Sequence, residues 1–248
     1  MKINVLTLFP DFYSSPLNSS ILGRAVEQNI IDVEIHDLRK WGKGKRKQVD
    51  DTSYGGGPGM VLMAEPLINS INEISSLQSD DVHVVLMTPL GEQFNYEVAK
   101  ELATKKNILI ICGKYEGIDE RVINHSVDQE ISLADVIFSG GEIASLAVID
   151  AITRLIPGAL GDPDSLLEES FSNNLLEYPQ YTKPSSVFGL EVPEVLLSGD
   201  HKKINRWRRK QRIVQTGLRR SDLLKKIELS SEEKKWLVES NDETYNNL

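Results

Sequence analysis

The sequence predicts an α/β protein: a parallel sheet covered by helices on both faces, followed by a small helical domain. Three observations predict it. Short β-branched runs alternate with longer segments of helical periodicity as far as about Gly158; glycine-bearing loops follow the strand ends; beyond Gly158 prolines replace periodicity before a strongly basic helix.

NVLTLF (4–9), IIDVEIHDL (30–38), DVHVVLM (81–87) and ILIICG (108–113) have the length and β-branched content of buried strands. Ser15–Asn29, Glu65–Leu77 and Asn95–Lys105 carry helical periodicity between them. IASLAVIDAITRLIPG (143–158) is apolar on nearly all faces, which predicts a helix buried in the fold or at a subunit interface and ended by Pro157 and Gly158. From about Gly158 to Pro193, little periodicity and the prolines 157, 163, 179, 184 and 193 read as linker and loop. HKKINRWRRKQRIV then forms a basic helix, a short helix surrounds Asp222–Ile227, and the capping box Ser230–Glu233 opens the last one.

With 248 residues, 40% apolar and 26% charged, the chain can bury a full core and is not a disordered polymer. A single cysteine, Cys112, excludes a disulfide framework and a cysteine-based zinc site. The opening MKINVLTLFPDF reads as a strand rather than a leader, and no stretch approaches a membrane span, so the expected location is the cytoplasm with no membrane partner.

The net charge of −9 hides a segregation. Residues 39–47 hold 6 basic and no acidic residues, and residues 201–226 hold 11 basic against Asp222 alone. The rest has 11 basic and 36 acidic residues, a distribution that points to a polyanionic partner.

Residues 54–60, YGGGPGM, look like a phosphate cradle, but no GK[ST] follows and the G-x-G-x-x-G spacing is missing. That disfavours a P-loop enzyme or a Rossmann oxidoreductase. The histidines 36, 83, 125 and 201 have no ligand spacing, Cys112 ends a buried strand, and there is no G-x-S-x-G elbow. The loops MTPLGEQF, CGKYEGIDER and SLADVIFSGGE lie at strand carboxyl ends, where α/β sheets bind ligands.

Taken in order, VDDTSYGGGPGM, ICGKYEGIDERV, SGGE, LIPGALG, EESF, YPQYTKP, VPEVLLSGDH and RWRRKQ resemble the bacterial tRNA (guanine-N1)-methyltransferases of the SPOUT family, from Met1 to about Leu224. The resemblance implies a SPOUT-type parallel sheet with a deep trefoil knot, S-adenosylmethionine as cofactor, a homodimer, and tRNA rather than DNA as the polyanion. It places a catalytic domain at 1–160, a linker at 161–175 and a tRNA-binding helical domain at 176–248. YGGGPGM becomes a wall beside the cofactor site.

By position the resemblance assigns cofactor contacts to Thr88, Pro89, Gly91, Gly113, Tyr115, Leu133, Ala134, Asp135, Val136, Ile137, Phe138, Gly140 and Gly141. Ala134, Val136 and Ala144 stand where the family usually has glycine, tyrosine and proline. Methylation at guanine N1 requires loss of its proton, so a carboxylate base and a cation near O6 are the natural devices. Arg154 matches the family arginine, and Glu116 matches a residue that holds the guanine edge or a magnesium ion. Glu169 replaces the family aspartate, with the same charge on a longer arm. The base is then Glu169 in an adjusted loop, a slower version of it, or neighbouring Glu168; the first is the expectation. No ligand cluster in the sequence demands a metal. Lys183, Arg206, Arg208, Arg209, Lys210, Arg219 and Arg220 are expected at tRNA phosphates, with Trp207 as a core anchor. A non-enzymatic RNA-binding protein and a knotted methyltransferase with another RNA target are the competing readings.

Overall fold

The computed structural model describes residues 1–161 and 168–246. They fall into two compact units, Met1–Gly161 and Asp162–Leu248. Of the linker expected over 161–175, residues 162–167 lie outside the described residues.

In the first unit the strands are β1 (Lys2–Thr7), β2 (Asp32–Asp37), β3 (Asp50–Asp51), β4 (Val61–Leu62), β5 (Val82–Gln93), β6 (Asn107–Cys112) and β7 (Gln129–Ser132). The main sheet has the order β2-β1-β6-β5-β7, and every pairing in it is parallel. A parallel sheet is covered on both faces, so its central strand must be apolar throughout. β6 meets this: all of NILIIC is buried, with Ile108, Ile110 and Cys112 facing one core cluster and Leu109 and Ile111 the other.

Five helices supply the covers: α1 (Ser20–Glu27), α2 (Ala64–Ser76), α3 (Tyr96–Ala103), α4 (Glu120–Ser126) and α5 (Glu142–Leu155). Leu22 of α1, Val98 and Leu102 of α3, and Val148, Ile149 and Ile152 of α5 pack on one face. Leu67, Ile71 and Ile74 of α2 and Val122 of α4 pack on the other. Each such side chain contributes about 1.5–3 kcal/mol on burial. Local signals set the starts: Asn95 accepts from the amides of Glu97 and Val98 at 2.9 and 3.2 Å, and Asp119 accepts from that of Arg121 at 2.9 Å. α5 buries Val148, Ile149 and Ile152 against the sheet, while Ile143 is 47% exposed in the single chain.

Three expectations change. Ser15–Asn29 is not one helix: 3₁₀ turns at Pro10–Tyr13 and Pro16–Asn18 precede α1, because each proline suits a first turn and Ser20 takes a left-handed φ of 54°. The predicted strand 81–87 continues to Gln93 as β5. β7, within what reads as loop, completes the sheet edge.

The second unit contains a hairpin, β8 (Ser186–Val187) and β9 (Leu190–Glu191), and helices α6 (Glu194–Leu197), α7 (His201–Arg219), α8 (Ser221–Leu224) and α9 (Ser231–Asn246). Its buried apolar centre is small: Leu175, Ile213 and Trp236. Arg212 is buried with them and donates to the carbonyls of Leu176 and Ser172 at 3.2 and 3.0 Å. The capping box forms as read, with the Ser230 amide 2.8 Å from the Glu233 carboxylate and the Glu233 amide 3.2 Å from the Ser230 hydroxyl. Trp207 is half-buried against Tyr181 rather than in this centre, ring centroids 6.4 Å apart.

Candidate active site

A cavity of about 580 Å³ opens at the carboxyl ends of β5, β6 and β7. Its first wall comes from an irregularity in β5. Both Met87 and Glu92 register with Ile131 of β7, so Thr88–Gly91 leave the ladder as a bulge, and Thr88, Pro89 and Leu90 turn into the cavity. The second wall is Gly113–Ile118 after β6, and the third is Ser132–Gly141 between β7 and α5.

Two glycines let these walls approach one another. A Cβ at Gly141 would stand 2.8 Å from the Cys112 Cα and 3.0 Å from the Gly113 nitrogen, and one at Gly113 would stand 3.1 Å from the Met87 carbonyl oxygen. The Gly141 amide instead bonds the Gly113 carbonyl at 2.9 Å. Lys114 adds a further tie, its ammonium on the Ser139 carbonyl and 5.0 Å above the Phe9 ring. Lys114, Glu120 and Ser139 line the cavity unforeseen by the sequence reading. Only their interleaving with Gly113, Tyr115 and Gly140 could have signalled them.

Of the residues expected to touch a cofactor, all but Gly91 and Asp135 line the cavity. Asp135 is exposed outside it. Gly91 has a packing reason: a Cβ there would lie 2.3 Å from the Glu130 carbonyl carbon, so the glycine admits β7 alongside β5. Ala134 is part of the lining without closing it. The cavity falls within the usual range for small-molecule sites, about 300–1,000 Å³, with apolar side chains for a ring and close-set backbone for polar groups. These features fit S-adenosylmethionine.

The wall expected from YGGGPGM is corrected: residues 54–60 do not line the cavity. Tyr54 is fully exposed, and a Cβ at Gly55 or Gly56 would meet nothing within 4 Å, so the loop stands out in solvent. Its far end braces the site from behind. A Cβ at Gly59 would sit 2.3 Å from the Glu116 carboxylate, and the Glu116 amide donates to Met60 at 3.0 Å.

Glu116 therefore lines the cavity with its backbone fixed. Arg154 lies in the last turn of α5, half-buried and engaged by a partner. Glu169 belongs to the second unit, where it too is half-buried and engaged. Its neighbour Glu168 is committed: the Tyr178 hydroxyl donates to it at 2.7 Å and Arg208 stands 3.8 Å away. Burial first, and then this bond to a carboxylate, push the Tyr178 hydroxyl above its ordinary pKa.

The cations expected at phosphates are mostly paired within the second unit. Arg206 meets Glu232, Arg209 meets Glu233 at 2.8 Å, Lys210 meets Glu239 at 3.2 Å, and Arg220 meets Asp222 at 2.7 Å. Lys183 and Arg219 are exposed.

Behind the cavity, the Tyr13 hydroxyl lies 2.6 Å from Ser145 and 3.2 Å from the Cys112 sulfur. Thr7 donates to the buried Glu142 at 2.8 Å. Burial, partly offset by bonds to Tyr13 and Ser145, pushes the Cys112 thiol up to about 12. It is a hydrogen-bonded core residue rather than a nucleophile. Among the described residues, no group of three or more His, Cys, Asp or Glu side chains gathers as for a metal. No helix among them is long and apolar enough to cross a membrane.

The family described as tRNA (Guanine-1)-methyltransferase TrmD matches residues 1–226. A protein of Moorella thermoacetica named tRNA (guanine-N(1)-)-methyltransferase is 48% identical over 240 residues, 96% of each chain. Proteins of the same name from Carboxydothermus hydrogenoformans and Syntrophomonas wolfei are 51% and 52% identical, covering 94% and 96% of this chain and 91% and 96% of their own. With the family match spanning both units and the glycine-lined cavity lying at the strand ends, this chain belongs to the tRNA (guanine-1)-methyltransferase family.

Proposed function

We propose that this chain methylates N1 of the guanosine just 3′ of the anticodon, position 37, in tRNA, with S-adenosylmethionine as cofactor. The observation that carries this reading is the cavity at the ends of β5, β6 and β7, lined by the loops that match the family's motifs. Thr88, Pro89, Gly113, Tyr115, Leu133, Ala134, Val136, Ile137, Phe138, Gly140 and Gly141 hold the cofactor there, partly through backbone groups, with Gly91 and Asp135 acting from beside the lining. In this reading the three loops are the knotted segment. S-adenosylmethionine, when bound, supplies an electrophilic methyl group.

The chain's own side chains deal with the proton and the charge. N1 of guanine is protonated at neutral pH, and its lone pair is free for in-line attack only as that proton leaves. Glu169 takes the proton onto a carboxylate oxygen, one methylene further from the backbone than the family aspartate. Glu168, held by Tyr178 and Arg208, is the alternative base. Arg154 offsets the negative charge developing on O6, and Glu116 fixes the guanine edge. The chain works as a cytoplasmic homodimer, with residues 1–160 catalytic, 161–175 a linker, and 176–248 holding tRNA through Lys183, Arg219 and the cations of α7. Magnesium would offset phosphate charge and is not assigned a site.

Methyl transfer to a tRNA transcript bearing guanosine at position 37, read by nucleoside mass spectrometry, tests this. The expected product is 1-methylguanosine, with none from a transcript carrying adenosine there. Glu169→Gln should slow transfer about 10²-fold or more while leaving cofactor affinity intact, and Glu169→Asp should retain activity. Full activity in Glu169→Gln would remove Glu169 from its role. Methylation at another position would overturn the assignment of the target.

A further inference from the structure

The basic segment 39–47 stands apart from the residues assigned to tRNA above, and its conformation is specific. After β2 a short 3₁₀ turn, Leu38–Trp41, is anchored by the buried Leu38 and by the Trp41 indole, which donates to Glu73 at 2.8 Å. The chain then folds back on itself. Lys43 and Gln48 exchange backbone hydrogen bonds at 2.8 and 3.0 Å, and the Lys47 amide closes the turn onto the Gly44 carbonyl at 3.2 Å. Gly42 is required, since a Cβ there would lie 2.3 Å from the Lys47 carbonyl oxygen. Gly44 and Lys47 both take left-handed φ values, 62° and 50°. Buried Val49 then leads into β3.

Within this turn the cations divide by role. Arg39 bonds the Leu8 carbonyl and Lys43 pairs with Glu65, so both serve the fold. Lys45, Arg46 and Lys47 are exposed at the tip, and among the described residues none of the three has an ion-pair partner. Three adjacent cations on a rigid turn, in a chain of net charge −9, create a local positive field that flexible, paired cations would not.

The turn also has a place. The ladders β2-β1, β1-β6 and β6-β5 end level, at Asp37, Ile111 and Cys112, so the turn leaves the same edge of the sheet as the cavity. β2 lies two strand spacings from β6, about 10 Å. Beyond the turn, β4 makes a bridge from Leu62 to Ile118, in the loop that carries Glu116, which couples the turn to the cavity wall through continuous backbone.

We propose that Lys45, Arg46 and Lys47 form a phosphate-gripping turn that holds the tRNA backbone beside the cavity. The inference rests on the tRNA reading above and adds a contact site in the first unit. Phosphate contacts position a nucleic acid without reading its sequence, so the turn sets how tightly tRNA is held and leaves the choice of base to the cavity.

The test is tRNA binding and steady-state methylation by the full-length protein across about 50–200 mM salt, for the wild type and for Lys45→Gln/Arg46→Gln/Lys47→Asn. Asn at 47 tolerates the left-handed backbone. The variant should weaken tRNA binding about tenfold and flatten the slope of log K against log salt by about 2 for three lost contacts. KM for tRNA should rise, with kcat at saturating tRNA and S-adenosylmethionine affinity unchanged. Unchanged S-adenosylmethionine affinity also certifies that the variant is folded. A charge-conserving Lys45→Arg/Arg46→Lys/Lys47→Arg variant should keep the wild-type slope. If the wild type methylates tRNA and the neutral variant binds it with the same affinity and slope, the turn is not a contact and the methyltransferase reading stands. If the wild type neither binds nor methylates tRNA, both readings fall together.

Discussion

The two units of the chain hold themselves together by different physics. The first has apolar clusters on both faces of its sheet, with every residue of β6 buried. The second has a small buried apolar cluster, Leu175, Ile213 and Trp236, and pairs its Arg and Lys side chains with Glu232, Glu233, Glu239 and Asp222. Exposed pairs of this kind contribute about 0–1 kcal/mol each. Most of the cations expected to meet phosphates therefore already have weak partners, and an arriving phosphate there exchanges one anion for another. The first unit thus rests on apolar burial around the cavity, and the second on ion pairs that an incoming anion can exchange.

The contrast can be broken first at its strong side. Ile110→Ala removes a fully buried side chain at the centre of the sheet, and should lower unfolding free energy by about 2–5 kcal/mol in a denaturant titration. A cost below about 1 kcal/mol would mean that the sheet core relaxes around the cavity. Next comes Arg212→Met, which leaves the carbonyls of Leu176 and Ser172 without their donor. About 1–3 kcal/mol should be lost, seen as faster hydrogen exchange in α7 and α9 while β6 keeps its protection. Equal acceleration in β6 would show that the units unfold as one.

Smaller effects sharpen the same comparison. Ser230→Ala removes one half of the capping box and should cost α9 about 1 kcal/mol. The smallest is a pH effect. Partial burial raises the Glu233 carboxyl, but the Ser230 amide and then Arg209 outweigh it, and the net shift is downward. Its contribution is thus full above the ordinary glutamate range, about 4.3, and disappears as pH falls through the lowered value. An acid titration should loosen α9 before it disturbs β6, and a first transition in β6 amides would reverse the assignment of strength.

What could be read in advance depended on how local the cause was. The central strands β1 and β6 and the first half of β5 announce themselves because a doubly covered strand must be largely apolar, while β2, at the sheet edge, shows itself by Val33 and Ile35 alternating with polar residues. β7 does not: Gln129–Ser132 is short and mostly polar, and it becomes a strand only because β5 resumes pairing with it beyond the bulge. The capping box at Ser230 was legible because its two residues are three apart. The partners of Arg206, Arg209 and Lys210 were not, since the carboxylates lie on another helix. The glycine loops of the site were visible as loops, while the purpose of Gly91 became clear only with Glu130 beside it, and the place of Gly59 only with Glu116.

The glycine loop at 54–59 separates covalent continuity from structural continuity. Chymotrypsin cleaving after the fully exposed Tyr54 would meet backbone that nothing covers. Yet the two pieces would stay clasped, because β1 on one is laddered to β6 on the other, and Val49 on one accepts from the Met63 amide at 2.8 Å on the other. A nicked molecule would elute as an intact particle and part into fragments only in denaturant, so this loop is a natural point at which to split the protein into halves that reassemble.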